Sequence, residues 1–431
     1  MVRISDILKK KKVIEQLEKE RSPTSFPQPE GPVIQQQSSA PPAQPPQSAT
    51  PVSIPPAPAK FYSQTYDLGK GMQKEPSEGL HFAKKVSMPP VDIGISELKE
   101  IRQEEKSEDP RLDKEANELY FGLLKSVREF YRTVNVDHKY FDSKLFELIK
   151  NIVNKFADND NFILRFTNRI TTPEYLYSHV VNVCILSIRL GLAVGYNKEE
   201  CVDLGLAALL HDLGLVRKTA LISKIERLSE SEYEEIKKHS EEGRKIIYGL
   251  SFISEELKRL IAEVVYQCHE RQTGAGYPTG IKGEQIHNYA QIIGLLDTYE
   301  ALSHHRAYRG RFLPHDVCRW LVEGREIGND FNIQLTKKFI EIIGLYPIGS
   351  YVRLSSGEIA EVVAVNPQYP LRPQIDIIIT LDYDRLKPKK RVNLIHNPVL
   401  QIIGPVDETK IRVKDKNFAL YLLSHNWVVI P

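Results

Sequence analysis

The segment LGLAALLHDLGL (residues 204–215) decides the fold predicted for this chain of 431 residues. Leucine and alanine dominate it and favour helix, whereas Gly214 is typical of the position where a helix ends. The apolar run leads directly into His211 and Asp212, an imidazole and a carboxylate. At a helix end both side chains can converge on one ion, although neighbours within a helix face different directions. The segment therefore predicts a buried helix that ends in a polar, ligand-type pair.

A second His-Asp pair shows that the dipeptide alone is weak evidence. His315-Asp316 follows Pro314 at the start of another predicted helix. Proline suits the first turn of a helix, and an aspartate there complements the helix dipole. We interpret this second pair as structural, and the first pair is distinguished by its polar neighbours along the chain.

The composition of the chain argues against several kinds of partner and location. The formal net charge of +2 is close to neutral, so bulk charge does not indicate a nucleic-acid partner, and we expect no DNA binding. The four cysteines lack paired spacing, which argues for a reducing compartment. No apolar run approaches the roughly 20 residues that span a bilayer, and the N-terminus lacks a signal-peptide pattern. We expect a cytoplasmic protein without membrane insertion.

The N-terminal residues read as two segments. Residues 1–20 carry apolar side chains at near-helical spacing and predict a short amphipathic helix. Residues 4–20 are either a solvated, partly formed helix or a peptide that folds on a protein partner, and both interpretations stay open. Residues 21–91 are rich in proline and glutamine and predict a disordered linker.

The remaining chain predicts a mainly α protein with a small β-rich end. Residues 92–158 have helical periodicity and either cap the following domain or support self-association as a homodimer. Residues 159–345 are predicted to form a helical block, which contains all seven candidate metal ligands. After Gly344 the helical period disappears, and alternation around Ser356-Gly357 predicts a hairpin. Residues 346–431 are therefore predicted to form a small β-rich unit.

Polar residues in the helical block occupy helix ends or apolar helix faces. Each one alone is more often an ordinary core residue, but together they indicate a metal site. They are His179, His211, Asp212, His239, Cys268, His269 and Asp297. Imidazole and carboxylate suit iron, manganese, nickel or zinc, and an aspartate can bridge two ions. Paired ions suit displacement at phosphorus.

Six blocks in order carry a family resemblance: YLYSHVVNV, ALLHDLG, KKHSEEG, CHERQTGAGYP, LLDTYEAL and RAYRG. Over residues of about 160 to 345 the chain resembles the HD-GYP domain, with Gly276, Tyr277 and Pro278 as its GYP motif. That family is the cyclic-di-GMP phosphodiesterase branch of the HD metal-dependent phosphohydrolases. The resemblance implies an HD-type helical bundle, and YPIGSYVRLSSGE resembles the tail that often follows such a domain.

The resemblance also implies roles for individual residues. The first metal site corresponds to His179, His211, Asp212 and Asp297, and the second to His239, Cys268 and His269. Asp212 would bridge two divalent ions, and Asp212 and His211 would be the catalytic pair. Arg306, Arg309, Gly276 and Tyr277 would bind the substrate. The implied reaction is hydrolysis of cyclic di-GMP to the linear dinucleotide or GMP, in bacterial second-messenger signalling.

Three departures from the family pattern keep a second function open. Leu215 stands where a lysine is usual, Cys268 replaces the first of two histidines, and Thr273 replaces an aspartate. The alternative is a catalytically weak or inactive HD-GYP scaffold that binds cyclic di-GMP or a protein partner. Hydrolysis of other nucleotides is a third hypothesis, which the GYP loop disfavours.

Overall fold

The computed structural model describes residues 110–134, 143–158, 162–167, 170–172, 175–304, 311–324, 328–425 and 427–429. The predicted N-terminal helix (1–20) and the predicted disordered linker (21–91) lie outside these residues, as do Arg306 and Arg309. The described residues begin with the helices that precede and build the block containing the candidate ligands.

The helical part of the chain confirms the predicted mainly α class. Its helices are α1 (Pro110–Val134), α2 (Ser143–Ala157), α3 (Tyr175–Ala193), α4 (Lys198–Leu210), α5 (Thr219–Ile222), α6 (Glu230–Lys237), α7 (His239–Gly249), α8 (Glu255–Gln267), α9 (Asn288–Ser303), α10 (Pro314–Glu323) and α11 (Ile333–Ile343). Short 3₁₀ turns connect several of them, among them Leu213–Arg217 directly after α4.

Local sequence signals explain where several helices begin. Asn197 caps α4 and Ser229 caps α6, each within a complete capping box that satisfies otherwise unpaired backbone N–H groups. A short strand, β1 (Ile170–Thr172), precedes α3, and the helix itself begins at Tyr175.

One continuous apolar core unites the helices. Its buried residues extend from Ala116 on α1 to Ile343 on α11, so the two helices before residue 158 share the core of the block that follows. The central α3 is buried along most of its length. It is the one helix among the described residues that is long and apolar enough to span a bilayer, and 78% of its apolar window is buried inside the protein.

The predicted β-rich unit is present as a five-stranded antiparallel sheet. Its strands are β2 (Tyr351–Leu354), β3 (Ile359–Ala364), β4 (Gln374–Ile379), β5 (Arg385–Asn393) and β6 (Ile402–Val406). Their order in the sheet is β5-β4-β3-β2-β6. The turn between β2 and β3 contains Gly357 with φ +89°, a conformation that glycine adopts without strain.

The C-terminal segment packs on the sheet and returns to the helical part. Helix α12 (Lys416–His425) places Phe418 and Leu422 against Ile378 and Ile379 of the sheet. The following strand, β7 (Trp427–Val429), pairs in parallel with β1, which immediately precedes α3. An ion pair between Arg311 and the buried Glu408 adds a second link between the two parts.

Candidate metal site

Five helices bring six of the seven ligand-type residues to one buried position. Their side chains come from α3 (His179), the end of α4 (His211 and Asp212), the start of α7 (His239), the segment after α8 (His269) and α9 (Asp297). All of these residues except Asp297 are less than a tenth exposed, and the Asp297 side chain is 14% exposed.

A glycine allows the turn after α4 to contact α7. A Cβ atom added to Gly214 would lie only 2.1 Å from the carbonyl oxygen of His239, so any larger residue would push the two segments apart. Because Gly214 has no side chain, the start of α7 lies directly against the turn that carries Asp212. The glycine that signals the helix end in the sequence thus also positions His239.

Asp212 lies at the centre of the cluster and uses its two oxygens on opposite sides. Oδ2 is 3.5 Å from His179 Nε2 and 3.6 Å from His211 Nε2. Oδ1 is 3.3 Å from His239 Nε2 and 3.8 Å from His269 Nε2. The geometry defines two groups that could hold a metal ion, His179-His211-Asp212 and Asp212-His239-His269, and Asp212 belongs to both.

Asp297 extends across the same two groups. Its Oδ1 is 3.2 Å from His179 Nε2, and its Oδ2 is 3.5 Å from His269 Nδ1. The resemblance assigned this carboxylate to the first site alone. In the structure it faces a histidine of each group, so two carboxylates lie between the two sets of imidazoles.

The histidine tautomers favour a cation inside the cluster. Nδ1 of His211 donates to the carbonyl oxygen of Ala208 (2.7 Å), and Nδ1 of His239 to that of Ile236 (2.8 Å). With the proton on Nδ1, each Nε2 presents a lone pair to the interior, as metal-binding histidines do. His211 Nε2 is buried and has no hydrogen-bond partner among the described residues. A bound divalent ion would satisfy this nitrogen, so the residues fit the metal.

The charges of the cluster agree with cation binding. Burial alone would raise the pKa of Asp212, but His211, His239 and His269 hold that pKa well below its usual value. Burial would likewise raise the pKa of Asp297, and His179 and His269 lower it. Both carboxylates are therefore anionic at neutral pH, within a buried site where an unneutralised charge is costly.

His239 and His269 differ in protonation. Burial lowers the pKa of His269 to about 4. Burial would also lower the pKa of His239, but the hydrogen bond and charge of Asp212, the Ile236 carbonyl and the charge of Asp297 together outweigh burial and raise it. The Nε2 atoms of the two rings are 2.8 Å apart, so without a metal a proton on His239 can be donated to His269.

The structure does not bring Cys268 together with the other predicted ligands. Its Sγ donates to the carbonyl oxygen of Val265 (3.2 Å), one turn earlier on the same helix, and belongs to neither group. Burial raises the pKa of the thiol well above its usual value, whereas metal binding requires the thiolate. The predicted ligand role of Cys268 therefore conflicts with its geometry.

The GYP loop is fixed beside His269 by a buried carboxylate. Glu270 accepts hydrogen bonds from the Thr279 backbone N–H, the Thr279 hydroxyl (both 2.6 Å) and the Gly280 N–H (3.0 Å). A Cβ on Gly276 would lie 2.4 Å from the His269 carbonyl oxygen, so the loop crosses this backbone only because of the glycine. The Tyr277 ring consequently stacks on the His269 ring, with centroids 4.9 Å apart.

The other two departures are explained by local contacts. Thr273 donates to Asp330 (2.9 Å) and so has a structural partner. Leu215 is buried in the core. The nearby Lys218 does not replace the missing amine, because its Nζ is bound by Glu235 (2.7 Å) and Glu242 (3.0 Å).

Two residues at the site are absent from the sequence-based set. Lys237 Nζ lies 5.9 Å from the centre of the Tyr277 ring and 5.2 Å from that of Tyr233, at the rim of the cluster. Glu300 is buried and accepts a short hydrogen bond from His179 Nδ1. Both had a sequence signal, since Lys237 precedes His239 by two residues and Glu300 lies one helical turn after Asp297.

Two parts of the chain match known protein families. Residues 142–317 match the family described as the HD domain, and residues 351–414 match a KOW domain associated with HD domains. The chain is thus an HD-domain protein whose β unit is a KOW-type domain.

The chain is also similar to individual proteins that are named cyclic di-GMP phosphodiesterases. The chain is 28% identical to the cyclic di-GMP phosphodiesterase PA4108 of Pseudomonas aeruginosa over 54% of its length and 55% of the relative. It is 27% identical to the cyclic di-GMP phosphodiesterase PdeB of Borreliella burgdorferi over 65% of its length and 72% of the relative. It therefore spans about half the length of the first and nearly three quarters of the second.

Part of the chain is also similar to a solved structure. Bd1817, an HDG"Y"P protein from Bdellovibrio bacteriovorus, is 17% identical, with a TM-score of 0.43 over 57% of this chain and 76% of that chain. The domain match and the curated relatives, together with the motifs, support an HD-GYP protein.

Proposed function

We propose that this chain is a metal-dependent phosphodiesterase that hydrolyses cyclic di-GMP to the linear dinucleotide or GMP, in bacterial second-messenger signalling. The observation that carries the proposal is Asp212, which directs one oxygen to each of two histidine pairs in a buried cluster. The substrate class is supported by relatives named cyclic di-GMP phosphodiesterase and, in Vibrio cholerae, 3'3'-cGAMP-specific phosphodiesterase 1.

The proposed ligands form one shared site for two divalent ions. His179, His211, Asp212 and Asp297 would hold one ion, and Asp212, His239, His269 and Asp297 the other. The nitrogen and oxygen donors suit iron, manganese, nickel or zinc. When bound, such ions stabilise negative charge on phosphoryl oxygens and lower the pKa of water.

Residues of the chain itself would orient the cyclic dinucleotide. Tyr277, held by its stacking on His269, offers an aromatic surface at the edge of the cluster. Lys237 brings an ammonium group to the same edge, where it can bind a phosphate oxygen. Gly276 allows the loop to approach closely, and Arg306 and Arg309 remain proposed phosphate contacts on the basis of the resemblance.

The second candidate function is a catalytically weak HD-GYP scaffold that binds the dinucleotide or a protein. One observation favours it, namely that Leu215 is buried where the family usually has lysine, while Lys218 is bound between two glutamates. The two functions differ in turnover, because the enzyme hydrolyses the dinucleotide whereas the scaffold only binds it or a protein.

Metal content and cyclic-di-GMP turnover of the full chain decide between these functions. We expect the wild type to hold metal and to hydrolyse the substrate, and Asp212→Ala to lose both because the shared carboxylate is gone. Asp316→Ala is the matched control, since it alters the other His-Asp pair, at the first turn of α10. Metal without turnover in the wild type would support the scaffold, and a metal-free wild type would refute the metal-dependent phosphodiesterase.

A further inference from the structure

A buried carboxylate behind the proposed metal site connects α9 with α3. Glu300 on α9 is 2% exposed and lies on the side of His179 that faces away from Asp212. Its Oε2 accepts a short hydrogen bond from His179 Nδ1, and its Oε1 accepts one from Asn182 Nδ2 (3.0 Å). His304 Nδ1 also lies 3.3 Å from Oε1. A buried carboxylate is costly unless it is hydrogen-bonded, and these contacts stabilise it.

The hydrogen bonds continue from Asn182 to the first helix. Tyr120 on α1 is fully buried, and its hydroxyl donates to Asn182 Oδ1 (2.9 Å). Its ring stacks on Phe166, with centroids 5.3 Å apart, which fixes the direction of the hydroxyl. Residue 120 precedes the segment that matches the HD domain, 142–317, so this contact comes from outside the matched domain.

The direction of each hydrogen bond determines the next. The Tyr120 hydroxyl occupies the amide oxygen of Asn182, so the Asn182 amide nitrogen donates to Glu300. Both Glu300 oxygens then act as acceptors, which requires the proton of neutral His179 to reside on Nδ1. The Nε2 lone pair of His179 therefore points toward Asp297 Oδ1, 3.2 Å away, and toward the proposed ion.

We infer that Tyr120, Asn182 and Glu300 form a positioning relay that sets the tautomer and orientation of His179 as a metal ligand. Helix α1 is thereby part of the metal site although it lies outside the matched HD domain. A second buried contact supports this role of α1, since the Tyr131 hydroxyl donates to the Leu209 carbonyl (2.7 Å), two residues before His211. The inference rests on the proposed metal site and is independent of the substrate.

The first test changes the acceptor. Glu300→Gln keeps the shape of the side chain, but its single amide oxygen cannot accept from both His179 and Asn182. Mutation of a residue that accepts a hydrogen bond from the second ring nitrogen of a metal-bound histidine typically lowers metal affinity by about 10- to 100-fold. We expect Mn²⁺ titrated calorimetrically into the chelator-treated full chain to bind about 10-fold more weakly to Glu300→Gln than to the wild type.

A double variant tests the polarity of the relay. In Asn182→Asp/Glu300→Gln the new carboxylate accepts from both Tyr120 and the glutamine N–H, which leaves the glutamine oxygen free to accept from His179. This variant also restores the lost negative charge, and we expect it to recover most of the Mn²⁺ affinity. ¹⁵N-histidine spectra should show the His179 proton on Nδ1 in the wild type and the double variant, and a mixture of tautomers in Glu300→Gln.

Two tyrosine-to-phenylalanine variants test the relay even if the Glu300 variants do not fold. Tyr120→Phe removes one oxygen from the relay and should weaken Mn²⁺ binding a few-fold, whereas Tyr299→Phe removes a hydroxyl from a buried tyrosine on α9 that takes no part in the relay. Wild-type affinity in both Glu300→Gln and Tyr120→Phe, or a double variant as weak as Glu300→Gln, would overturn the relay. A wild type that binds no Mn²⁺ would instead refute the metal site.

Discussion

At the residue scale, Cys268 and His269 are neighbours with different environments. His269 faces Asp212 and Asp297, whereas the Cys268 thiol donates to a backbone carbonyl of its own helix and has a raised pKa. The difference follows from helix geometry, because consecutive side chains at the end of α8 point in different directions.

Replacement of Cys268 should therefore leave the metal in place. We expect Cys268→Ala to bind the same metal at the same stoichiometry as the wild type, with stability lowered by roughly 1–2 kcal/mol because a buried group is deleted. His269→Ala is the matched comparison and should lose metal from the second group. Elemental analysis measures both variants, and a loss of metal in Cys268→Ala would restore the ligand role predicted from the sequence.

Lys237 and Lys238 provide a matched pair at the rim of the site. Lys237 Nζ lies over the Tyr277 ring, and its side chain is 27% exposed. Each lysine also pairs with a glutamate, Lys237 with Glu234 and the 63% exposed Lys238 with Glu235. If Lys237 binds a substrate phosphate, Lys237→Met should raise KM for cyclic di-GMP about 10-fold and leave metal content unchanged, since a charge-assisted hydrogen bond contributes about 1.5 kcal/mol or more.

Steady-state kinetics distinguish this role from a structural one. Lys238→Met should keep the wild-type KM, because the Lys238 side chain is largely exposed and bound to Glu235, whereas Lys237 lies over the Tyr277 ring. Equal KM values for the two variants would remove Lys237 from the proposed substrate surface without affecting the metal site.

At the scale of elements, the GYP loop depends on one carboxylate. Glu270 accepts from two backbone N–H groups and one hydroxyl of the loop, and the loop carries Tyr277 onto His269. Glu270→Ala should free the amides of Thr279 and Gly280, and hydrogen exchange there should accelerate at least 10-fold, because each lost charge-assisted bond contributes about 1.5–3 kcal/mol. The exposed Glu284→Ala is the control and should preserve the wild-type exchange rates.

The same variant links the loop to function. With the loop loosened, Tyr277 no longer covers His269, and we expect a higher KM for cyclic di-GMP. Unchanged protection of residues 276–280 in Glu270→Ala would show that other contacts fix the loop.

At the scale of the whole molecule, the metal should stabilise the fold. The six proposed ligands come from five helices, so an ion bound by them ties α3, α4, α7, α8 and α9 together. Mn²⁺ at about 100 times its Kd should raise the free energy of unfolding by about 2.7 kcal/mol, and a chelator should reverse the gain. Thermal unfolding of the wild type and of Asp212→Ala measures the effect, which the variant should lack.

The pH dependence of this stabilisation has a definite sign. Metal binding requires neutral imidazoles, and the raised pKa of His239 makes protons compete with the metal up to and above about pH 6.5. His269, whose pKa is about 4, does not compete in that range. Stabilisation by Mn²⁺ should therefore increase between about pH 6 and pH 8. A gain that is constant over this interval would show that His239 is not a ligand.

The sequence by itself determined the features that have local causes. Helix starts at Asn197 and Ser229 follow from side chains that bond the backbone within three residues. The change from helical to alternating periodicity near Gly344 located the β unit, because burial of one face imposes the period. His211 and Asp212 were recognisable because polar groups directly after a buried apolar run need partners, and the motif order identified the family.

Only the tertiary structure decided which distant groups meet. Glu300 contacts His179 across 121 positions and Tyr120 contacts Asn182 across 62, so no local pattern links them. The pairing of β7 with β1 is likewise a contact between the two ends of the described chain. Cys268 is the opposite case. Its position in the motif predicts a metal ligand, but in the structure its thiol faces away from the proposed ions. Motif order specifies which residues reach a site, but side-chain direction and packing decide which atoms face it.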